Sequence, residues 1–275
     1  MKSLYIFADS ERPDQYVNSI VHCVLDRDVR SIHIIHIKGF GSSRDPGAQV
    51  DGLSARLLGA IQVQLDGLAE RGEYTFVDGK RKGERLLLAS EYGSERAKQI
   101  QELYRRCRAI SLSYSNADIA YDQLRSRLRL IAKEGRSAYV DVTSIRKKYI
   151  GDVVAAGLVE GLQQLHTFDI LLPKLDYDRP WTMLIHDLLG DTSRLFSYTN
   201  ILDTPVYREC SRVVVIRAPR LALSAIATVV LLGAASLAYW RIGSTNQIVQ
   251  TVLAMSGVAS ILSLVFVFIT PRSSS

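Results

Sequence analysis

The chain has 275 residues, enough for one large domain or two ordinary ones, and a formal net charge of +6 at pH 7. The charge is unevenly placed, because no acidic residue follows Glu209 and the four basic residues from Arg217 onward are all arginines. The first 216 residues therefore hold 30 of the 34 basic residues and all 28 acidic ones. This near balance argues against a general nucleic-acid binder, which needs a broad basic face, and any anion site should be local.

The cysteines and the N-terminus indicate a reducing compartment. Cys23, Cys107 and Cys210 lie far apart and form no C-x-x-C pair, so we expect free thiols rather than disulfides or a metal site. The first apolar run ends at Asp9, which makes it too short for a signal peptide. It predicts instead a first strand, Leu4 to Ala8.

Strand and helix patterns alternate through the first 216 residues. The predicted strands are 4–8, 31–37, 74–77, 85–89, 138–142, 168–172, 196–202 and 212–216. The predicted helices are 14–26, 53–70, 95–108, 117–134 and one directly after residue 148, with a further helix start near 179–181. This order predicts βαβ units in a Rossmann-like α/β domain, a mostly parallel sheet with helices on both faces.

The stretch from Ala138 to Lys148 predicts a ligand site. A short apolar strand runs into two hydroxyl residues and three cations, and a helix follows at once: Thr143, Ser144, Arg146, Lys147 and Lys148. In an open α/β sheet, ligands bind beyond the carboxyl ends of the strands, where a helix N-terminus favours an anion. The alternative is that Thr143 or Ser144 only caps the helix while the cations face solvent.

Two further loops are candidates for the same ligand. Asp9, Ser10 and Arg12 follow the first strand and should lie near Thr143 if the two strands are neighbours, although a capped turn before Pro13 is the plainer interpretation. The Gly39–Gly47 loop carries Ser42 and Arg44, and a Gly-rich loop after a strand can approach phosphates. It matches neither G-x-G-x-x-G nor the Walker pattern, which argues against ordinary dinucleotide or NTP binding.

Catalytic signals are weak. The five histidines form no ligand spacing beyond His33-x-x-His36, which on a strand points to opposite faces. There is no G-x-S-x-G elbow and no evident nucleophile–base pair. We therefore predict no catalytic residue, no metal and no cofactor, and interpret the chain as a binding protein rather than an enzyme.

The two strand-end motifs resemble those of the CARF family of Rossmann-like sensors. The matching positions are Ala8-Asp9-Ser10 and the Asp141-x-Thr143-Ser144-x-Arg146-Lys147 run, which depart from the family in having Ser144-Ile145 where a glycine usually follows the threonine. The resemblance implies that loops after the first and fourth strands cradle a cyclic oligoadenylate across the two-fold axis of a homodimer. Such sensors fused to membrane hairpins resemble effectors of bacterial anti-phage immunity.

The last quarter of the chain predicts a membrane hairpin, domain 217–275. Leu221 to Trp240 is 20 residues without a charge, about the length that crosses ~30 Å of hydrocarbon, and Ile248 to Thr270 is a second apolar run. A buried helical pair in a soluble core is the alternative, which two consecutive runs disfavour. Three arginines (217, 220 and 272) flank the hairpin and only Arg241 lies in its loop, so the positive-inside rule puts the α/β domain and the C-terminus in the cytoplasm.

Small and hydroxylated residues recur in both predicted helices. They include Gly233, Ser256, Gly257, Ser260 and Ser263, the serines being spaced i, i+4, i+7 on one face. Close helix packing explains them, and a weakly polar pore lining in an oligomer is the sharper alternative. Two helices cannot enclose a pore, so any channel needs several chains.

Together these patterns predict a membrane effector at the inner membrane. Its cytoplasmic domain binds a nucleotide second messenger, cyclic or linear, and switches an oligomeric hairpin to form a pore or disrupt the bilayer. A membrane-anchored nucleotide-processing enzyme and a membrane-tethered protein scaffold remain as alternatives.

Overall fold

The computed structural model describes residues 1–39, 52–77, 81–190 and 194–210, together with Ile226, Val230 and Gly233. The chain divides into two units, Met1–Thr204 and Pro205–Ser275. The first unit carries the α/β domain and is nearly all described.

The described residues of the first unit form eight strands and six α-helices. The strands are β1 (Lys2–Ala8), β2 (Val29–Lys38), β3 (Glu73–Thr75), β4 (Arg85–Leu87), β5 (Ser113–Ala120), β6 (Ala138–Asp141), β7 (Leu165–Ile170) and β8 (Phe196–Asn200). The helices are α1 (Asp14–Asp26), α2 (Leu53–Asp66), α3 (Leu88–Ala109), α4 (Leu124–Ala132), α5 (Lys147–Glu160) and α6 (Ile185–Leu188). A π-helical turn, Gly67–Arg71, extends α2, and a 3-10 turn at Pro180–Met183 precedes α6.

Six strands form one sheet in the order β5-β2-β1-β6-β7-β8, and β3 pairs with β4 as a separate antiparallel hairpin. All neighbours in the sheet are parallel except β7 and β8. The prediction of a Rossmann-like, mostly parallel α/β sheet is therefore confirmed.

Strand β1 lies at the centre of the sheet and is buried on both faces. Leu4 and Ile6 belong to a core cluster that includes residues of α1, α2, α3 and α6. Tyr5 and Phe7, which alternate with them, are also buried but point to the opposite face. Buried residues of α4 and α5, such as Leu128 and Val153, are not part of that cluster, so helices cover both faces as expected.

One predicted element is wrong. Residues 117–134 were expected to form a single charged helix, but Ser113–Ala120 is strand β5 and the helix begins only at Leu124. The strand is polar, and Ile119 is its one buried residue. Its conformation comes from parallel pairing with β2 along its whole length, a long-range interaction without a local apolar pattern.

The predicted membrane segments lie almost entirely outside the described residues. The exceptions are Ile226, Val230 and Gly233, which are helical and exposed. The predicted strand 212–216 and the four small residues of the second helix, Ser256, Gly257, Ser260 and Ser263, are also outside the described part. Within the described ranges, no helix combines the length and hydropathy that a membrane crossing needs.

Candidate ligand site at the carboxyl ends of β1 and β6

The sheet changes direction between β1 and β6. From β1 the chain proceeds to β2 and β5 on one side, then crosses to β6 and continues to β7 and β8 on the other. In register, Ile6 of β1 faces Asp141 of β6, so both strands end at the same edge. A crevice outside the carboxyl ends at such a reversal is where open α/β sheets bind ligands. We call the space bounded by residues 9–12 and 142–146 the switch crevice.

The loop after β1 is held by α1. The Ser10 amide donates to the Tyr16 hydroxyl (3.1 Å), which in turn donates to the Ser10 carbonyl (2.9 Å). The Ser10 hydroxyl accepts from the Arg12 amide at 3.2 Å. Ser10 thus forms the capped turn that was the plainer of the two interpretations, and its hydroxyl oxygen already has one local partner.

The loop after β6 is fixed by two hydrogen bonds. The buried Asp141 carboxylate accepts from the Thr143 amide (2.8 Å), and the Thr143 hydroxyl oxygen accepts from the Phe168 amide of β7 (2.8 Å). The Ser144 hydroxyl is buried and interacts with the Tyr16 hydroxyl of α1. Neither hydroxyl caps α5, whose N-cap residue is Arg146 and makes no side-chain cap. The capping alternative is therefore wrong for this helix.

We expect Thr143→Val to destabilise the fold. The substitution keeps the size of the side chain but leaves the Phe168 amide without an acceptor, and a buried unsatisfied donor costs about 1–3 kcal/mol. Thr143→Ser retains the oxygen and should cost clearly less. Chemical unfolding followed by near-UV circular dichroism measures both variants, and equal stability of Thr143→Val and wild type would contradict the assignment.

Asp9 and Arg146 meet across the switch crevice. Arg146 Nε lies 2.5 Å from Asp9 Oδ2, and the Asp9 side chain is only 6% exposed whereas that of Arg146 is 49% exposed. Burial raises the pKa of Asp9 above its usual value, while the electrostatic interactions with Arg146, His36 and Lys148 act in the opposite direction. The sequence predicted that Asp9 and Arg146 both lie near the ligand, but it did not predict the ion pair between them.

The other two cations of the motif are exposed at the start of α5. Lys147 is the first residue of the helix, and Lys148 Nζ lies 4.7 Å from the centroid of the Tyr149 ring. With the half-exposed Arg146, they make the rim of the switch crevice positive. Such a rim suits phosphate groups, which arginine binds in a bidentate manner and lysine as a point charge.

A row of charged groups continues along the same edge of the sheet. His36 of β2 is buried, donates from Nδ1 to the Ala8 carbonyl (3.0 Å) and lies 3.8 Å from Asp9 Oδ1. Its neighbour in β5, Asp118, accepts from the Gly52 amide (2.6 Å) and the Ser54 amide (3.2 Å) at the start of α2. Burial acts to raise the pKa of Asp118, but the hydrogen bonds from Ser54 and Gly52 outweigh it and lower the pKa below its usual value.

A separate cavity lies between α2 and the β3–β4 hairpin. Its volume is about 300 Å³, and Glu11, which pairs with Arg56 at 3.0 Å, is one of its walls. Phe76 and Leu57 supply apolar surface. Glu11 belongs to the loop after β1, so the cavity borders that loop, but none of the predicted site residues that the structure describes lines it.

Several predicted site residues are brought together and others fall outside the described part. Asp9, Ser10, Thr143, Ser144 and Arg146 all border the switch crevice, whereas Ser42 and Arg44 lie outside the described residues. Sequence reasoning missed Tyr16 and His36, which hold the loop after β1. Tyr16 lies within the predicted helix 14–26 without any site motif of its own, and a single histidine in a strand gives no signal either. Within the described ranges, no group of three or more His, Cys, Asp or Glu side chains could hold a metal ion.

Comparisons with known proteins give one structural likeness. No family model and no curated protein matches the chain. Among solved structures, the chain is similar to Enterococcus italicus Csm6 bound to cyclic hexa-2′-fluoro-hexa-dAMP, with 11% identity and a TM-score of 0.38. The match covers 94% of this chain and 54% of that protein, so the chain spans about half the length of its structural neighbour.

Proposed function

We propose that the chain is a membrane effector of bacterial anti-phage immunity that is switched by a nucleotide second messenger. The observation that carries the proposal is the reversal of strand order at β1 and β6, which brings Asp9, Ser10, Thr143 and Arg146 to one crevice. The ligand, a cyclic or linear oligonucleotide, binds there through its phosphates. Arg146 and the two lysines at the start of α5 supply the positive charge, and the amides of the α5 N-terminus supply donors.

The exposed face of α5 supports a role for a second copy of the chain. Gly151, Ala155 and Val159 are spaced four residues apart and exposed, and none carries a charge. A Cβ added at Gly151 would meet nothing within 4 Å, so this face is open. Because α5 begins at the switch crevice, a dimer formed along it sets two crevices side by side. One ligand can then contact both protomers, which couples binding to assembly.

The C-terminal segment is the output module of this proposal. Leu221–Trp240 and Ile248–Thr270 cross the inner membrane as a hairpin, with the α/β domain and the C-terminus in the cytoplasm. Neither run contains an Asp, Glu, Lys, Arg or His, so an ion-coupled carrier is disfavoured. Gly233, Ser256, Gly257, Ser260 and Ser263 pack the helices or line a pore built from several chains. The ligand shifts this assembly by the difference in its affinity for the two states.

A thermal-shift screen of the full chain in detergent against oligonucleotides tests the proposal. A ligand at 100 times its Kd stabilises the folded state by about 2.7 kcal/mol, which for a domain of this size raises Tm by roughly 5–10 °C. We expect such a shift with one class of cyclic or linear oligoadenylate and none with AMP or inorganic sulfate. No shift with any oligonucleotide, cyclic or linear, would defeat the proposal. Turnover of the bound nucleotide would favour a membrane-anchored enzyme instead.

A further inference from the structure

The buried carboxylate of Asp9 lies against Arg146, the cation that the proposed function assigns to a ligand phosphate. The side chain of Asp9 is 6% exposed and lies at the start of α5, with Arg146 Nε 2.5 Å from its Oδ2. The backbone amide of Arg146 acts on the same carboxylate, so a single residue supplies both its ion pair and its amide donor. Arg146 itself is half exposed, so one side of its guanidinium faces solvent while the other faces Asp9.

Asp118, a second carboxylate at the same edge of the sheet, caps a helix through hydrogen bonds and serves as a comparison for Asp9. Asp118 accepts two amide hydrogen bonds at the start of α2, from Gly52 and Ser54. These bonds lower the pKa of Asp118, whereas burial raises the pKa of Asp9. The hydrogen bonds of Asp118 thus outweigh the cost of its burial, whereas the interactions of Asp9 with Arg146 do not. A buried carboxylate whose partners do not offset its desolvation is stabilised only weakly by its site.

The groups that act on the Asp9 carboxylate come from two elements. Arg146 and Lys148 belong to the start of α5, and His36 belongs to β2, where it lies 3.8 Å from Asp9 Oδ1. Each of these groups attracts or orients the carboxylate, and each would do the same for a phosphate. A ligand phosphate and Asp9 thus compete for the same cations, and a like charge left in place would repel the ligand.

The geometry points to Asp9 as a displaceable internal competitor of the ligand anion. In the free protein its carboxylate neutralises Arg146 and keeps the α5 N-terminus occupied. A ligand phosphate takes over Arg146, and Asp9 turns away from it. The free energy of this exchange sets the concentration at which the ligand binds, so that weak anions of the cytosol do not occupy the crevice. The inference rests on the proposed function in taking the ligand's charged group to be a phosphate.

Asp9→Asn tests the inference because it removes the competing charge at nearly constant shape. The probe is inorganic pyrophosphate, titrated calorimetrically against the full chain in detergent. We expect the Asn variant to bind it roughly tenfold more tightly than wild type, since a like charge next to a bound anion is removed. Asp9→Ala should also bind pyrophosphate more tightly than wild type. It provides a second test if the Asn variant folds poorly.

Two controls separate competition from a general charge effect. Asp118→Asn makes the same chemical change on the same sheet edge and should leave the affinity unchanged. Arg146→Ala in the Asp9→Asn protein should abolish the gain, because the competition is for that guanidinium. Equal or weaker pyrophosphate binding by both Asp9 variants would overturn the inference and make Asp9 a residue that positions Arg146. An equal gain in Asp118→Asn, or no pyrophosphate binding by any variant, would overturn it too.

The same proteins distinguish this inference from the proposed function. Suppose that the Asp9 variants bind pyrophosphate more tightly, yet neither they nor wild type bind any oligonucleotide. The inference about Asp9 then stands and the proposed messenger is wrong. The converse result, oligonucleotide binding that Asp9→Asn leaves unchanged or weakens, defeats the inference alone.

Discussion

Replacing Arg146 and Lys147 together by alanine is expected to weaken nucleotide binding by roughly two to four decades. Each charge-assisted hydrogen bond to a phosphate contributes about 1.5–3 kcal/mol, and the variant loses two such donors at the start of α5. Calorimetry with the oligonucleotide that wild type binds best measures the loss. Unaltered affinity would mean that these cations are merely solvated.

The matched control for this double variant is Lys98→Ala with Arg106→Ala on α3. Both side chains are exposed, and this variant loses the same net charge as the Arg146, Lys147 variant. Its nucleotide binding should not change, because neither side chain belongs to the proposed site. The stability of the two proteins should differ slightly, because removing Arg146 leaves the buried Asp9 without its cation. Since Arg146 is half exposed, this cost should be about 1 kcal/mol or less. Adding Asp9→Asn should restore the stability but not the binding.

Deleting residues 221–275 is expected to release the chain from the membrane and abolish the proposed membrane disruption, while leaving nucleotide binding intact. Each of the two apolar runs is long enough to span the hydrocarbon core, so loss of both removes the only predicted anchor. Alkaline carbonate extraction of cells should leave the full chain in the pellet and the truncated chain in the supernatant. A full chain that washes off at high pH would contradict the membrane assignment.

Cysteine labelling tests the orientation of the same segment. In a Cys210→Ser background, whose remaining Cys23 and Cys107 are buried, Gly243→Cys should react with an impermeant maleimide in intact cells. Ser275→Cys should react only after lysis, because the arginines at residues 217, 220 and 272 predict that both ends of the proposed hairpin lie inside. Labelling of Ser275→Cys in intact cells would contradict the predicted cytoplasmic location of this residue.

The sequence predicts most of the sheet because local pattern and tertiary structure agree there. The β-branched alternation of Ser31–Ile37 and the helical spacing of Asp14–Asp26 match β2 and α1 closely. Strand β5 was missed since its residues are polar, and only the partner strand defines their conformation. Helix or strand can thus be predicted where burial of one face gives the apolar residues a regular spacing. It cannot be predicted from local sequence where, as in β5, hydrogen bonds to a neighbouring strand determine the conformation.

The site was predictable in position but not in its internal contacts. The hydroxyl and cationic residues that follow two predicted strands indicated a ligand site at one edge of the sheet. The pairing of β1 with β6 brings these two motifs together. The use of the Thr143 hydroxyl by the Phe168 amide depends on β7, which lies more than twenty residues away in sequence. The Asp9–Arg146 pair likewise depends on the crossing from β5 to β6, because more than a hundred residues separate its members.

Photo-cross-linking tests most directly whether a nucleotide binds between the ends of β1 and β6. The full chain is irradiated with an azido-adenine analogue of the oligonucleotide that binds best, and the adducts are mapped by mass spectrometry. We expect adducts on the peptides that contain residues 9–12 and 143–149, suppressed by unlabelled ligand and absent in the Arg146→Ala, Lys147→Ala protein. Specific adducts confined to the cavity walls at Leu57 and Phe76, with residues 143–149 unmodified, would contradict it.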